Sequence, residues 1–188
     1  MSPHAPLFVF SGPSGCGKTT ICRLLEERLG AYYSVSCTTR PKRAGEVDGQ
    51  DYHFVTPQQF RDLIEKGNFL ECEEVHDNLY GTLKAPIMER LARGQPVVLD
   101  VDVKGALAVK QMIRDAVLVF IQPPSWEELE ARLIARGKDK PAVIAKRLIN
   151  ARKESNYKDR YDYIVINDNL ERTYAEIEDI ARRHLSVA

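Results

Sequence analysis

No sign of charge dominates this chain: lysines plus arginines and aspartates plus glutamates number 27 each, and the formal net charge is zero. A nucleic-acid binder is usually basic overall or carries a basic stripe, so no nucleic-acid partner is expected. Long apolar runs are missing as well. None approaches the length that spans a bilayer, and the opening residues MSPHAP lack the charged and apolar blocks of a secretory signal. No membrane association and no obligate protein partner are therefore expected. Cysteine is scarce: Cys16, Cys22, Cys37 and Cys72 have neither C-x-x-C spacing nor histidine partners. That argues against zinc and fits free thiols in a reducing cytoplasm. No period repeats, and no segment is low in complexity. At 188 residues the chain reads as one domain with subdomains inserted, large enough to bury a core.

What is present centres on GPSGCGKTT at residues 12–20. Gly12, Gly17, Lys18 and Thr19 occupy the fixed places of G-x-x-x-x-G-K-[ST], a loop that binds the phosphates of a nucleoside triphosphate. The apolar run Leu7-Phe8-Val9-Phe10 leads in and a helical pattern (Ile21, Leu24, Leu25, Leu29) leads out, which is the context this motif requires. Glycines let the backbone curl so that N–H groups point inward, and the helix N-terminus adds its positive end. The triphosphate contacts are thus expected from Gly12, Pro13, Ser14, Gly15, Cys16, Gly17, Lys18, Thr19 and Thr20. Lys18 reaches the outer phosphates and the Thr19 hydroxyl ligates Mg²⁺. Cys16, beside Lys18 and a helix N-terminus, is expected to have a lowered thiol pKa and to react readily.

Downstream, Tyr32 to Thr39 reads as one short strand, and RPKRAGEVDGQDY at residues 40–52 as a polar loop of a length usually reserved for function. Strand-like His53-Phe54-Val55 follows. Thr56-Pro57-Gln58-Gln59 carries the capping box of a helix closing near Gly67, and two further strands span residues 69–75 and 78–82. Strands with so little helix between them predict a small antiparallel insertion at 34–83. From Ala85, strands and helices alternate: helix to Gly94, strand 96–102, helix 104–114, strand 116–121, a helix capped by Ser125, an arginine-bearing helix to about Tyr157, strand 163–166 and a closing amphipathic helix. Repeated units of this kind predict an α/β fold with a P-loop NTPase-type doubly wound parallel sheet.

Carboxylates end the strand before residue 103, where such sheets place their ligand crevice. Asp100 is the better candidate to hold a metal's water shell, and Asp102 is either functional or a helix N-cap. Arg40 and Arg43 sit three apart in the long loop; guanidinium forks suit phosphate, although a solvated pair has the same spacing. Arg132, Arg136, Arg147 and Arg152 flank a Gly/Pro break and form either a lid or an ordinary solvated surface. Alternation along residues 69–74 sets Leu70 on one strand face and Glu71 with Glu73 on the other.

Taken in order, GPSGCGKTT, SVSCTTRPKRAGEVDGQDYHFV, NFLECEEVHDNLYGT, VVLDVDVKGA and YDYIVIND resemble guanylate kinase over nearly the whole chain. The resemblance implies phosphoryl transfer from ATP to GMP, with Mg²⁺, and small-molecule substrates that include dGMP as an open case. It implies that Ser36, Arg40, Arg43, Tyr52 and Tyr80 hold the GMP phosphate, and that Glu71, Thr82 and Asp100 or Asp102 read guanine. It places Arg132, Arg136, Arg147 and Arg152 in the ATP lid and transfer site, with Asn167 near adenine. The same resemblance divides the chain into a core of residues 1–33, 84–125 and 158–188, a GMP-binding insertion of 34–83 and a lid of 126–157. Two departures stand out: Lys138-Asp139-Lys140-Pro141 at the lid tip and Cys72 after Glu71. The rivals are a non-catalytic binding module of the same family, against which the complete phosphate loop argues, and a same-fold kinase of a sugar phosphate, against which Glu71 argues. A GTPase would need an N-K-x-D motif, which the sequence lacks.

Overall fold

The computed structural model describes residues 5–75, 77–135, 137 and 140–185. Strand β1 (Leu7–Ser11) is buried along its whole length, as a central strand of a parallel sheet must be. Its side chains alternate between two cores. Phe8 and Phe10 join Ile21, Cys22 and Leu25 of α1 (Lys18–Leu29) and Tyr174, Ile177 and Ile180 of the final helix, Leu170–Leu185. Leu7 and Val9 face the other way, onto Ile87, Leu91, Val103, Ala106 and Val109. The five-stranded sheet is parallel throughout, with β2 (Tyr32–Tyr33) and β7 (Val97–Asp100) on one side of β1 and β8 (Val117–Gln122) and β9 (Tyr163–Ile166) on the other. Helices cover both faces, so the sheet is doubly wound.

A second sheet contains β3 (Cys37–Thr38), β4 (His53–Phe54), β5 (Phe69–Val75) and β6 (Asn78–Leu83) in the order β4-β3-β6-β5. It departs from the sequence reading in two ways. Residues 32–39 are not one strand. Tyr32 and Tyr33 pair with β7 of the large sheet, Ser34 N–H donates to the Val98 carbonyl at 3.0 Å, and the chain then crosses to the small sheet. The sheet is also mixed, because β3 pairs with β4 in parallel while β3–β6 and β5–β6 are antiparallel. Helix α2 (Pro57–Glu65) has both halves of the expected capping box at Thr56 and Gln59. Its buried Phe60 stacks on Phe69 at 4.5 Å between centroids, fixing the helix to this sheet.

After β6, α3 (Lys84–Ala92) returns the chain to the large sheet, and α4 (Val103–Met112) follows β7. A pair of helices, α5 (Trp126–Ala135) and α6 (Pro141–Ser155), packs through its own cluster of Leu129, Leu133, Ile144 and Ala151. Helix α7 is the segment Leu170–Leu185 already named. No described helix is long and apolar enough to cross a membrane.

Candidate active site

Strands β1 and β7 end side by side, with Phe10 in register with Asp100. Between β1 and α1 the backbone turns through conformations that only glycine tolerates. Gly12 has φ 137°, and a Cβ there would stand 2.1 Å from the Ile121 carbonyl oxygen; one on Gly17, at φ 98°, would stand 2.3 Å from Asn167 Nδ2. The tight curl delivers the loop to the N-terminus of α1, whose dipole favours anions. Lys18 lies across it: Nζ donates to the Gly12 carbonyl at 2.7 Å and the Pro13 carbonyl at 3.3 Å, and stands 4.0 Å from Asp100 Oδ1. Burial by itself would lower the Lys18 pKa, but the surrounding acidic groups, Asp100 and Glu154 among them, outweigh it and raise the pKa. The ammonium is therefore charged at any physiological pH.

Thr19 Oγ1 donates to Asp100 Oδ2 at 2.8 Å. A hydroxyl and a carboxylate held together are hard oxygen donors of the kind Mg²⁺ takes beside phosphate and water, so these residues fit that ion. No described group of three or more His, Cys, Asp or Glu could hold a metal without such help. Asp102 accepts from Gly105 N at 2.7 Å and so caps α4. Asp100, the better metal candidate from the sequence, thus meets the Thr19 hydroxyl, and Asp102 takes the helix-cap role that the sequence had left open beside a functional one.

The small sheet supplies the facing wall. A register irregularity between Phe69 and Glu71 turns both Leu70 and Glu71 inward, so both are buried where strict alternation would expose one. Glu71 shares its face with Glu73 and Val75, all three lining the cleft. Its carboxylate accepts a buried hydrogen bond from the Thr82 hydroxyl and rests over Gly105, where a Cβ would come within 2.8 Å of Oε2. Burial pushes Glu71 up to about 7; Asp102 and Glu73 add to the rise and the Thr82 bond opposes it. Ser36, Arg40, Arg43, Tyr52 and Tyr80 line the same wall. The Tyr52 and Tyr80 rings meet edge to face at 5.8 Å, and burial pushes the Tyr52 phenol up to about 12, which keeps it a neutral donor.

Phosphate loop and facing wall enclose a single cleft of about 530 Å³, closed on a third side by Arg147, Asn150 and Glu154 of α6. The sequence model of the guanylate kinase family matches residues 4–184.

The chain belongs to the guanylate kinase family.

Guanylate kinases of known sequence and structure are correspondingly similar. That of Mycolicibacterium paratuberculosis is 51% identical over 172 residues, covering 90% of this chain and 77% of its own. That of Thermotoga maritima is 46% identical over 177 residues, covering 94% and 86%. The crystal structure of guanylate kinase from Anaplasma phagocytophilum superposes with a TM-score of 0.81 at 32% identity, over 98% of this chain and 88% of that one.

Within this guanylate kinase fold several expected site residues stand apart from the cleft. Arg132 donates to Glu128 Oε1 at 2.9 Å and to the Asn167 carbonyl at 3.1 Å, and the Arg152 guanidinium lies 5.7 Å from the centre of the Trp126 ring. Neither lines the cleft as the helices stand here, whereas Arg147 does. Arg136, Lys138 and Asp139 lie outside the described residues. The Asn167 side chain is committed to the phosphate loop: Nδ2 donates to the Cys16 carbonyl at 2.7 Å, and Oδ1 accepts from Thr173 at 3.2 Å. Pro13 contributes its carbonyl to Lys18 and to Cys16 N.

The expectation for the Cys16 thiol is overturned. Cys16 is fully buried, and burial pushes its pKa up, more than the nearby Lys18 can offset. A helix N-terminus activates a thiol only where the thiolate can be solvated or paired.

Among the polar cleft residues, Glu46, Asn150 and Glu154 were not singled out by the sequence reading. The last two were within reach, since 147, 150 and 154 follow helical spacing and share one face. Glu154 is pushed up to about 7 by burial, with Lys18 opposing and Asp102 adding to the rise.

Proposed function

We propose that the chain is an ATP:GMP phosphotransferase, moving the terminal phosphoryl group of ATP to GMP to give ADP and GDP. The observation that carries this is the cleft itself. One wall is a phosphate loop with a half-buried cation, and the other combines a buried carboxylate with two arginines and two tyrosines. In this reading Lys18 and the loop N–H groups take the donor phosphates. Arg40, Arg43, Ser36, Tyr52 and Tyr80 take the acceptor phosphate, and Glu71 with Thr82 takes the guanine edge. Guanine offers N1–H and N2–H₂ as adjacent donors, which a carboxylate accepts together.

The acceptor is already an anion, with a second phosphate pKa near 6, so no general base is needed. The obstacle is repulsion between two polyanions and the charge spread over a loose transition state. Lys18 opposes it as a fixed cation. Arg147 from α6, and Arg132, Arg136 and Arg152 on lid closure, would add charge where charge develops. Thr19 and, through water, Asp100 would hold Mg²⁺, which when bound neutralises charge on the donor phosphates. Helices α5 and α6 pack through a core of their own, which suits them to moving as a lid that excludes water. The reading places the enzyme in the cytoplasm.

The test is ADP release with Mg-ATP and each of GMP, dGMP, AMP, UMP and CMP in turn. GMP should dominate AMP by orders of magnitude, because a buried carboxylate is left unpaired by adenine. Equal rates with AMP, or ADP release independent of any acceptor, would contradict the assignment.

A further inference from the structure

Glu46 lies in the long polar loop and was marked by neither its spacing nor its charge. It holds the terminal fork of Arg40: Nη2 donates to Oε1 at 2.8 Å and Nη1 to Oε2 at 3.1 Å. Oε2 also accepts from the backbone N–H of Arg43 at 2.7 Å, and Glu46 N–H donates back to the Arg43 carbonyl at 3.2 Å. A single carboxylate thus joins the guanidinium of one candidate phosphate ligand to the main chain of the other. The ion pair is well shielded, with 10% and 18% of the two side chains exposed.

The remaining contacts of Arg40 say what this achieves. Nη1 also donates to the Pro41 carbonyl at 2.8 Å, and the guanidinium lies beside two rings that meet each other, 5.3 Å from the centre of Tyr52 and 5.7 Å from that of Phe54. Glu46 and Pro41 occupy the terminal end of the fork, and the guanidinium also bonds Tyr80, itself a candidate phosphate ligand. The lateral edge, Nε–H with the second Nη2 hydrogen, has the geometry that receives an oxyanion in bidentate fashion. A long arginine side chain otherwise loses substantial rotamer freedom when it is ordered on a ligand. Here the ordering is built in before the ligand arrives. A carboxylate in competition with phosphate would have no reason to hold the Arg43 backbone as well.

We infer that Glu46 is a positioning residue for the acceptor phosphate, locking the Arg40 fork and the Arg43 main chain into one receiving geometry. This rests on the reading of Arg40 and Arg43 as the acceptor-phosphate site. Its removal acts on GMP through the phosphate and leaves the nucleoside untouched.

Calorimetric binding of GMP and of guanosine to wild type, Glu46→Gln and Arg40→Ala separates the possibilities. Charge-assisted bonds in a partly open site are worth enough that Glu46→Gln should weaken GMP about tenfold. Guanosine, which has no phosphate, should bind as before. Unchanged GMP affinity in Glu46→Gln, alongside a clear loss in Arg40→Ala, overturns this inference and spares the phosphate site. Tighter GMP binding overturns it too, because Glu46 would then be a competitor. Equal losses of GMP and guanosine reduce Glu46 to a structural brace. If Arg40→Ala leaves GMP affinity intact, the phosphate-site reading falls and this inference falls with it.

Discussion

Thr82 donates its hydroxyl proton to the Glu71 carboxylate from the directly opposing position of the β5–β6 pair, and both side chains are buried. One lone pair of the carboxylate is thereby fixed and the rest is aimed by β5 into the cleft. Replacing Glu71 by Gln keeps the shape but substitutes a donor for one acceptor oxygen. The GMP kcat/KM should fall by roughly a hundredfold or more, since a mispaired buried group is costly. The GMP-to-AMP ratio should fall with it. Measuring both nucleotides in both proteins decides; an unchanged ratio would mean that another residue reads the base.

The same carboxyl makes recognition depend on pH. With Glu71 pushed up to about 7 by burial, the form that accepts from guanine is progressively lost as pH falls through neutrality. Guanosine affinity should be nearly level above pH 8 and drop about tenfold from there to pH 6. Guanosine is the right probe, because the GMP phosphate titrates in this range itself. A flat guanosine profile between pH 6 and 8 would place the Glu71 pKa elsewhere.

Glu154 should weaken the fold at alkaline pH. Its folded pKa of about 7 lies above the ordinary carboxylate value near 4.3, so the folded state holds the proton more tightly than the unfolded chain. A penalty therefore builds as pH rises from about 4 to 7 and stays constant above that. Glu154→Gln should match wild type in Tm near pH 4 and exceed it by several degrees at pH 8, an effect of about 1–3 kcal/mol. Parallel Tm profiles for the two proteins would refute this.

Asp100 and Asp102 should part company under mutation. Asp102→Ala removes the cap on α4, which costs about 1 kcal/mol of stability. Asp100→Asn should barely alter stability but raise the Mg²⁺ concentration for half-maximal rate by about tenfold, as loss of a supporting shell commonly does. Thermal melts and Mg²⁺ titrations of both variants test the division, and reversed phenotypes would defeat it.

Thiol labelling should follow exposure. Cys72 is exposed while Cys16, Cys22 and Cys37 are buried, so a maleimide should label Cys72 first and reach Cys16 only as the protein opens. Peptide mapping in which Cys16 leads at neutral pH would contradict the burial seen here.

The large sheet was legible because its signals are local. Leu7 to Phe10 is apolar throughout, as a strand covered on both faces must be, and the glycine loop follows at once. Thr56 and Gln59 likewise announce a helix start by chemistry that needs no tertiary partner. The division of Tyr32 to Thr39 between two sheets was not legible, because it depends on Val98 being near enough to take the Ser34 N–H. Burial of Glu71 beside Leu70 was hidden for a similar reason: a register irregularity leaves no mark in a strand's composition. The pairing of Glu46 with Arg40 spans six positions in a loop of no regular period, so only the folded chain brings them together. Cys16 misled because the sequence sets it beside Lys18 and a helix start, while the fold packs its side chain into an apolar core.

The bond from Asn167 to the Cys16 carbonyl joins positions 151 residues apart. Synthesis runs from the N-terminus, so the phosphate loop is made 151 residues before its brace. A nascent chain can therefore have the whole of residues 12–19 outside the ribosome and still lack the amide that holds the Cys16 carbonyl. Competence to take up nucleotide should arise late and abruptly, when β9 docks beside β8.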